Sequence, residues 1–144
     1  MGMRKANVDD WKEISELLEQ LGYPVSKTLI CAKIEQFINL SDEELLVYEE
    51  EGKVVGVVSM HFIPQIVCEG DFARISYLAV DQEFRSRGIG RAIEEHCVEI
   101  ARRRKCDRIE LHCHSRRTEA HRFYARQGYI ESPKYFFKTL NLGK

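Results

Sequence analysis

Over the first forty positions apolar residues recur at helical intervals, and the chain then changes to strand texture. Trp11, Ile14, Leu17, Leu18 and Leu21 keep three- and four-residue spacing, which predicts a helix capped by Asp9 or Asp10. The run "GYPVS" breaks that helix, and Ser26 is placed to cap a second one carrying Ile30, Ile34, Phe37 and Ile38 on one face. A short strand over Met3 to Asn7 precedes both. The stretch "ELLVYEEEGKVVGVVSMHF" then reads as two strands, about Leu45 to Glu49 and Lys53 to Phe62, joined by a turn at Glu51-Gly52.

The second half alternates strands with helices. "FARISYLAV" is a β run ending at Val80, and Ile89, Ala92, Ile93, Cys97, Ile100 and Ala101 return to helical spacing. "DRIELHC" is the next strand, "TEAHRFYARQG" a helix stopped by Gly128, and "KYFFKTL" a last strand, with a further short one at Tyr129-Ile130. The predicted order is β-α-α-β-β-β-α-β-α-β. The run ending at Val80, the helix from Gly88 and the strand from Asp107 form a βαβ unit with parallel strands, whereas the hairpin before it is antiparallel. The fold class is therefore α/β, with a mixed, mostly antiparallel central sheet flanked by helices. Ligands of such units lie beyond the carboxyl ends of the strands, beside the helix N-terminus.

Size and charge narrow the reading. A chain of 144 residues suits one domain, residues 1–144, with one core. A formal net charge of −1 does not fit a nucleic-acid binder, and "ARRRKCDR" reads as basic residues answering a helix dipole. No apolar run approaches the roughly 20 residues that span a membrane, and the N-terminus lacks a signal-peptide core. The five cysteines are unevenly spaced, which argues against a disulfide framework and for a cytoplasmic setting. His112 and His114 share one face of a strand, but the cysteine spacing matches no zinc pattern, so no metal is expected.

The candidate chemistry lies in "FRSRGIGRAIEEH", Phe84 to His96, where Arg85, Arg87 and Arg91 surround Gly88 and Gly90 just ahead of a helix. The first turn of a helix offers free N–H groups and partial positive charge, glycines let a diphosphate reach the main chain, and arginines add charge-assisted hydrogen bonds. The loop is neither a P-loop, because Arg91-Ala92 follows Gly90, nor a dinucleotide fingerprint, because Ile93 stands where a third glycine is needed. A plain strand-to-helix turn with solvated arginines is the alternative that the loop alone leaves open.

Taken with the preceding "LAV", the amphipathic helix and "AHRFYARQGY" after the next strand, Arg85-x-x-Gly88-x-Gly90 closely resembles the acetyl-CoA loop of the GNAT superfamily of N-acetyltransferases. The resemblance covers nearly the whole chain and implies the acyl-CoA N-acyltransferase type of fold. It implies that main-chain amides over Arg85, Arg87, Gly88, Ile89, Gly90 and Arg91 hold the pyrophosphate of acetyl-CoA. It also implies that the pantetheine arm pairs with Leu78, Ala79 and Val80, where that strand splays from the next one around Leu111 to His114. The N–H of Leu78 or Ala79 would face the oxyanion, and Tyr124, four residues before Gly128, would protonate the departing thiolate.

Further expectations follow from the same likeness. Many relatives carry an acidic residue where this chain has Tyr77, so the base is open among Glu49, Glu50, His61, Glu69, Asp71 and His112. The implied activity is direct transfer of acetyl from acetyl-CoA to an amine of a small molecule, at a pocket built from the two N-terminal helices, the loop Ile63 to Asp71 and the last two strands. The segment "AHRFYARQGY…SPKY" also looks like aminoalkylphosphonate acetyltransferases, which keeps an anionic acceptor held by Arg74, Arg116 or Arg117 in view. A peptide or protein amine as acceptor, a non-catalytic acetyl-CoA sensor, and a homodimer formed through exposed strands or the C-terminus remain alternatives.

Overall fold

The computed structural model describes residues 2–113, 117–132 and 134–140, and the packing divides the chain into two compact units, residues 1–111 and 112–144. The first unit contains a sheet of five strands in sequential order: β1 (Gly2–Lys5), β2 (Glu43–Glu50), β3 (Lys53–Ile63), β4 (Phe72–Val80) and β5 (Arg108–Leu111). β1 through β4 pair antiparallel, and β4 pairs parallel to β5. The mixed α/β sheet expected from the sequence is present, and its one parallel pair is the βαβ unit.

Three helices cover the sheet: α1 (Trp11–Leu21), α2 (Lys27–Ile38) and α3 (Ile89–Arg103). Alternation along the strands sends Val47, Val57 and Ala79 to one core with Ile14, Leu17, Ile30 and Ile34 of α1 and α2. Val58, Met60 and Ile75 face a second core with Ile89, Ile93 and Cys97 of α3. Ile34 and Ile93 are wholly buried, and each such side chain contributes roughly 1.5–3 kcal/mol. A Cβ at Gly56 would stand 2.7 Å from Ile93 Cδ1, so the missing side chain lets α3 lie close on β3. That contact fixes where the N-terminus of α3 points.

Local chemistry differs from the sequence reading at two places, the start of α1 and the end of α2. A 3-10 turn over Val8–Asp10 precedes α1 and is capped by Asn7, whose side chain accepts from the Asp9 N–H at 2.9 Å while the Asp10 carboxylate accepts the Asn7 N–H at 2.9 Å. Asp10 stands at the cap position of α1, as expected, but makes no side-chain cap bond there. Its carboxylate also accepts two hydrogen bonds at 2.9 Å from Arg4. Ser26 does cap α2, accepting from Leu29 at 3.1 Å, but Ile38 on its last turn is exposed.

The second unit contains α4 (Thr118–Arg126), which ends at Gly128 as expected. Tyr129 and Ile130 form no strand, because the Tyr129 N–H closes the helix end on the Tyr124 carbonyl at 3.0 Å. The last predicted strand is also not formed over residues 134–140. Tyr135, Phe136 and Phe137 are consecutive, exposed and without the alternation that commits one face to a core. Tyr135 instead stacks on His112, ring centroids 4.1 Å apart.

Candidate active site

The pairing of β4 with β5 runs from Phe72–Arg108 to Ile75–Leu111 and stops there, while β4 continues to Val80. Beyond Ile75, β4 therefore pairs only with β3 among the described residues. A bulge sits at the same point. Ser59 lies opposite Tyr77 and Met60 opposite Ile75, which leaves Ser76 as the extra residue. The buried Ser59 hydroxyl repairs the ladder by accepting the Tyr77 N–H at 3.2 Å.

That repair settles which main-chain groups face the opening. The N–H groups of Tyr77 and Asp81 both point to β3, the second donating to the Val55 carbonyl at 2.9 Å. Strand alternation then turns the N–H and C=O of Leu78 and Val80 to the unpaired edge. Ala79, 5% exposed, packs its side chain into the core of α1 and α2 and directs its main chain to β3. Of Leu78 and Ala79, only Leu78 presents an N–H to the edge.

The arginine-glycine loop follows directly. Its beginning is anchored: the Gln82 N–H donates to Gln20 Oε1 of α1 at 2.9 Å, and the Asp81 carboxylate accepts the Glu83 N–H at 2.9 Å. Ser86 and Gly88 are both left-handed, with φ of 65° and 79°. Such residues build concavities of main-chain N–H groups that suit anions. The N–H groups of Arg87, Gly88, Ile89, Gly90 and Arg91 donate to no described residue; the first bond of α3 is Ala92 N–H to the Gly88 carbonyl. Nothing lies within 4 Å of the point where a Gly88 Cβ would stand.

Arg85, Arg87 and Arg91 are exposed around these donors. Arg87 lies over the Phe84 ring at 4.8 Å and 3.8 Å from Glu50, and Arg91 pairs with Glu95 at 2.9 Å. Exposed pairs of this kind contribute at most about 1 kcal/mol, so either guanidinium exchanges readily to a phosphate. The loop thus combines main-chain donors without a partner among the described residues, partial helix charge and exposed cations in one place, an arrangement suited to a diphosphate.

The candidate bases separate by environment. Glu49 is held by Arg4 at 2.6 Å and Glu50 faces Arg87, while Glu69 is exposed. His61 shares the α1–α2 face of the sheet with Tyr77; its Nδ1 is hydrogen-bonded to Glu43, and Phe37 flanks its ring. Arg74, beside His61 on that face, is engaged by Glu110 with its Nε at 2.8 Å. Arg117 is exposed, and Arg116 and His114 lie outside the described residues. Cys97 is buried in the α3 core, where burial pushes its thiol up to about 12 and leaves it unreactive.

In the second unit Tyr124 lies on α4, half-buried, with Phe123 and Tyr129 packed edge-on at centroid distances of 5.1 and 5.5 Å. Among the described residues no three His, Cys, Asp or Glu side chains converge as a metal centre requires, and no helix is long and apolar enough to cross a membrane. The sequence reading missed Tyr23 and Ser59. Tyr23 meets Tyr77 edge-to-face at 5.2 Å, and only the "GYP" break hinted that a side chain there turns back over the sheet.

Comparison with known proteins gives the family and the fold. The sequence model of the acetyltransferase (GNAT) family matches residues 10–129. The chain belongs to the GNAT acetyltransferase family. It is 34% identical over 89 residues to an aminoalkylphosphonate N-acetyltransferase of Salmonella typhimurium, a match covering 62% of this chain and only 58% of that protein. Three solved structures share the GNAT chain's fold at lower identity. A transcriptional regulator from Bacillus halodurans superposes with a TM-score of 0.88 at 21% identity, over 96% of this chain and 98% of its own. A putative acetyltransferase from Agrobacterium tumefaciens gives 0.88 at 21%, over 97% and 100%. A GNAT family acetyltransferase from Staphylococcus aureus gives 0.81 at 24%, over 97% and 100%.

Proposed function

We propose that this GNAT chain is an N-acetyltransferase that moves acetyl from acetyl-CoA directly to an amine of a small molecule. The observation that carries the reading is the run of unpaired N–H groups from Arg87 to Arg91, placed one short turn beyond the open edge of β4. The donors fit a diphosphate, and the Leu78 and Val80 main chain fits an amide-bearing arm. The family match across residues 10–129 supports a single domain, and the named Salmonella relative supports a small-molecule amine as acceptor. Free cysteines at all five positions suit a cytoplasmic enzyme.

The thioester supplies an electrophilic acetyl carbon: the N–C bond forms, the C–S bond breaks, and the products are an amide and CoA thiol. The chain's residues divide the remaining tasks. The main-chain amides and Arg85, Arg87 and Arg91 bind the nucleotide end. Leu78 N–H is the donor for a carbonyl oxygen at the edge, where developing negative charge strengthens the hydrogen bond. The acceptor, a cation near pH 7, must lose a proton before it can attack. His61 takes that proton on Nε2, either directly or through water, while Glu43 holds Nδ1. Tyr124 gives its phenolic proton to the leaving thiolate and is reprotonated by the second proton, which the nitrogen sheds as the amide forms.

A screen of amines for release of CoA thiol tests the proposal. Turnover with at least one small amine, saturating in acetyl-CoA, is the expected result. Tight acetyl-CoA binding with no turnover on small amines, peptides or proteins would instead identify a sensor.

A further inference from the structure

Tyr23 follows the left-handed Gly22 that ends α1, and its ring turns back to meet the Tyr77 ring of β4 edge-to-face, centroids 5.2 Å apart and planes at 77°. Neither ring belongs to the core: Tyr23 is 49% and Tyr77 43% exposed. An edge-to-face pair covers one ring face and, where both rings are open to solvent, leaves other ring faces uncovered on which a cation can sit. The main chain of Tyr77 is fixed at the bulge, where the buried Ser59 hydroxyl accepts its N–H. The next residue along β4 is Leu78, whose N–H faces the open edge. The aromatic pair therefore stands beside the point where acyl transfer would occur, on the face that carries α1 and α2.

The polar groups around the pair favour a cation. Cross-strand register aligns Glu43, His61, Arg74 and Glu110 in one row on that face, next to Tyr77. Arg74 is matched by Glu110, and among the described residues Glu43 is opposed by the imidazole of His61. Along this row two carboxylates, Glu43 and Glu110, face one guanidinium, Arg74. An anionic acceptor would have to displace Glu110 from Arg74, whereas a cation meets a ready field.

We infer that Tyr23 and Tyr77 form the acceptor-recognition element of this site, receiving a primary alkylammonium group on their ring faces before it is deprotonated. The inference rests on the acetyltransferase reading and specifies its substrate class: aliphatic amines without an acidic group beside the nitrogen. Neither tyrosine is a catalytic residue here; both set specificity through the strength of the cation–π contact.

The test separates the two levels. Calorimetry of the full chain with acetyl-CoA comes first: absence of binding overturns the acetyltransferase reading and this inference with it. With CoA saturating, butylammonium is then titrated while the tyrosine ring resonances are followed by NMR, with 1-butanol as the neutral isostere. The expected result is a saturable shift of the Tyr77 and Tyr23 signals with butylammonium and none with the alcohol. Affinity should stay within about twofold in Tyr77→Phe and fall about fivefold to tenfold in Tyr77→Leu, as loss of a partly desolvated cation–π contact implies. Unchanged CoA affinity and melting temperature show that each variant is folded. If CoA binds but butylammonium shifts nothing, shifts the rings no more than butanol does, or binds equally to the Phe and Leu variants, the recognition role is wrong while the cofactor reading stands.

Discussion

The Ser59 hydroxyl accepts the Tyr77 N–H across a β-bulge at 3.2 Å and, with the Asp81 N–H donated to the Val55 carbonyl at 2.9 Å, holds the phase of β4 beyond Ile75. It directs the main chain of Tyr77 to β3, and the strand's alternation then presents Leu78 to the open edge. An isolated β4 would have no reason to prefer that phase over its opposite. The bulge converts an ordinary strand end into a directed donor, which links local hydrogen bonding to the chemistry proposed for the site.

Replacing Ser59 by alanine removes the acceptor and leaves a main-chain N–H unpaired in a mostly buried setting. The loss should be about 2 kcal/mol. Urea unfolding measures it, and turnover should fall as well because one of the bonds that hold the Leu78 phase is lost. A stability change below about 0.5 kcal/mol would mean that Tyr77 finds another partner.

Asp10 gives a pH-dependent prediction. Burial alone would raise its carboxyl, but hydrogen bonds from Arg4 and the Asn7 N–H outweigh that and hold it below the ordinary carboxylate value. A carboxyl whose folded value is depressed contributes stability above its unfolded value, near 4, and loses it as pH falls through the folded one. Asp10→Asn should therefore cost roughly 2 kcal/mol at pH 7, with the gap to the natural chain closing below about pH 4. Parallel denaturation curves at pH 7 and pH 3 check both parts.

Much of this was legible from side-chain periodicity. Ile14 and Leu17 at helical spacing, and the alternation of Val57, Val58 and Met60 with Ser59 along β3, specify the elements because each face has its own core. The loop from Arg85 to Arg91 was also readable, since glycines and arginines carry their chemistry in their identity. Periodicity does not report a bulge at Ser76 or the phase it imposes on Leu78, because an extra residue in a strand looks like any other. Asn7 was passed over as a cap because the two following aspartates match the same preference. The segment from Tyr135 to Phe137 has strand composition without alternation, and in the fold its rings stack locally instead of joining a ladder.

Tyr124→Phe keeps the ring that packs against Phe123 and Tyr129 and removes the proton proposed for the thiolate. Turnover should drop on the order of a hundredfold, the scale of general acid catalysis, with acetyl-CoA affinity within about twofold. Steady-state kinetics beside calorimetry make the comparison, and unchanged turnover would remove the acid role.

The central claim is that the free main-chain donors ahead of α3 hold the diphosphate of acetyl-CoA. Amide NMR during a CoA titration measures those donors one by one. The account predicts that the largest saturable shifts fall on Arg87, Gly88, Ile89, Gly90 and Arg91, and that affinity drops at least about tenfold in Gly88→Val, where a β-branched residue must take a left-handed backbone. Saturable CoA binding that leaves these five amides unmoved, or that survives Gly88→Val unchanged, would contradict it.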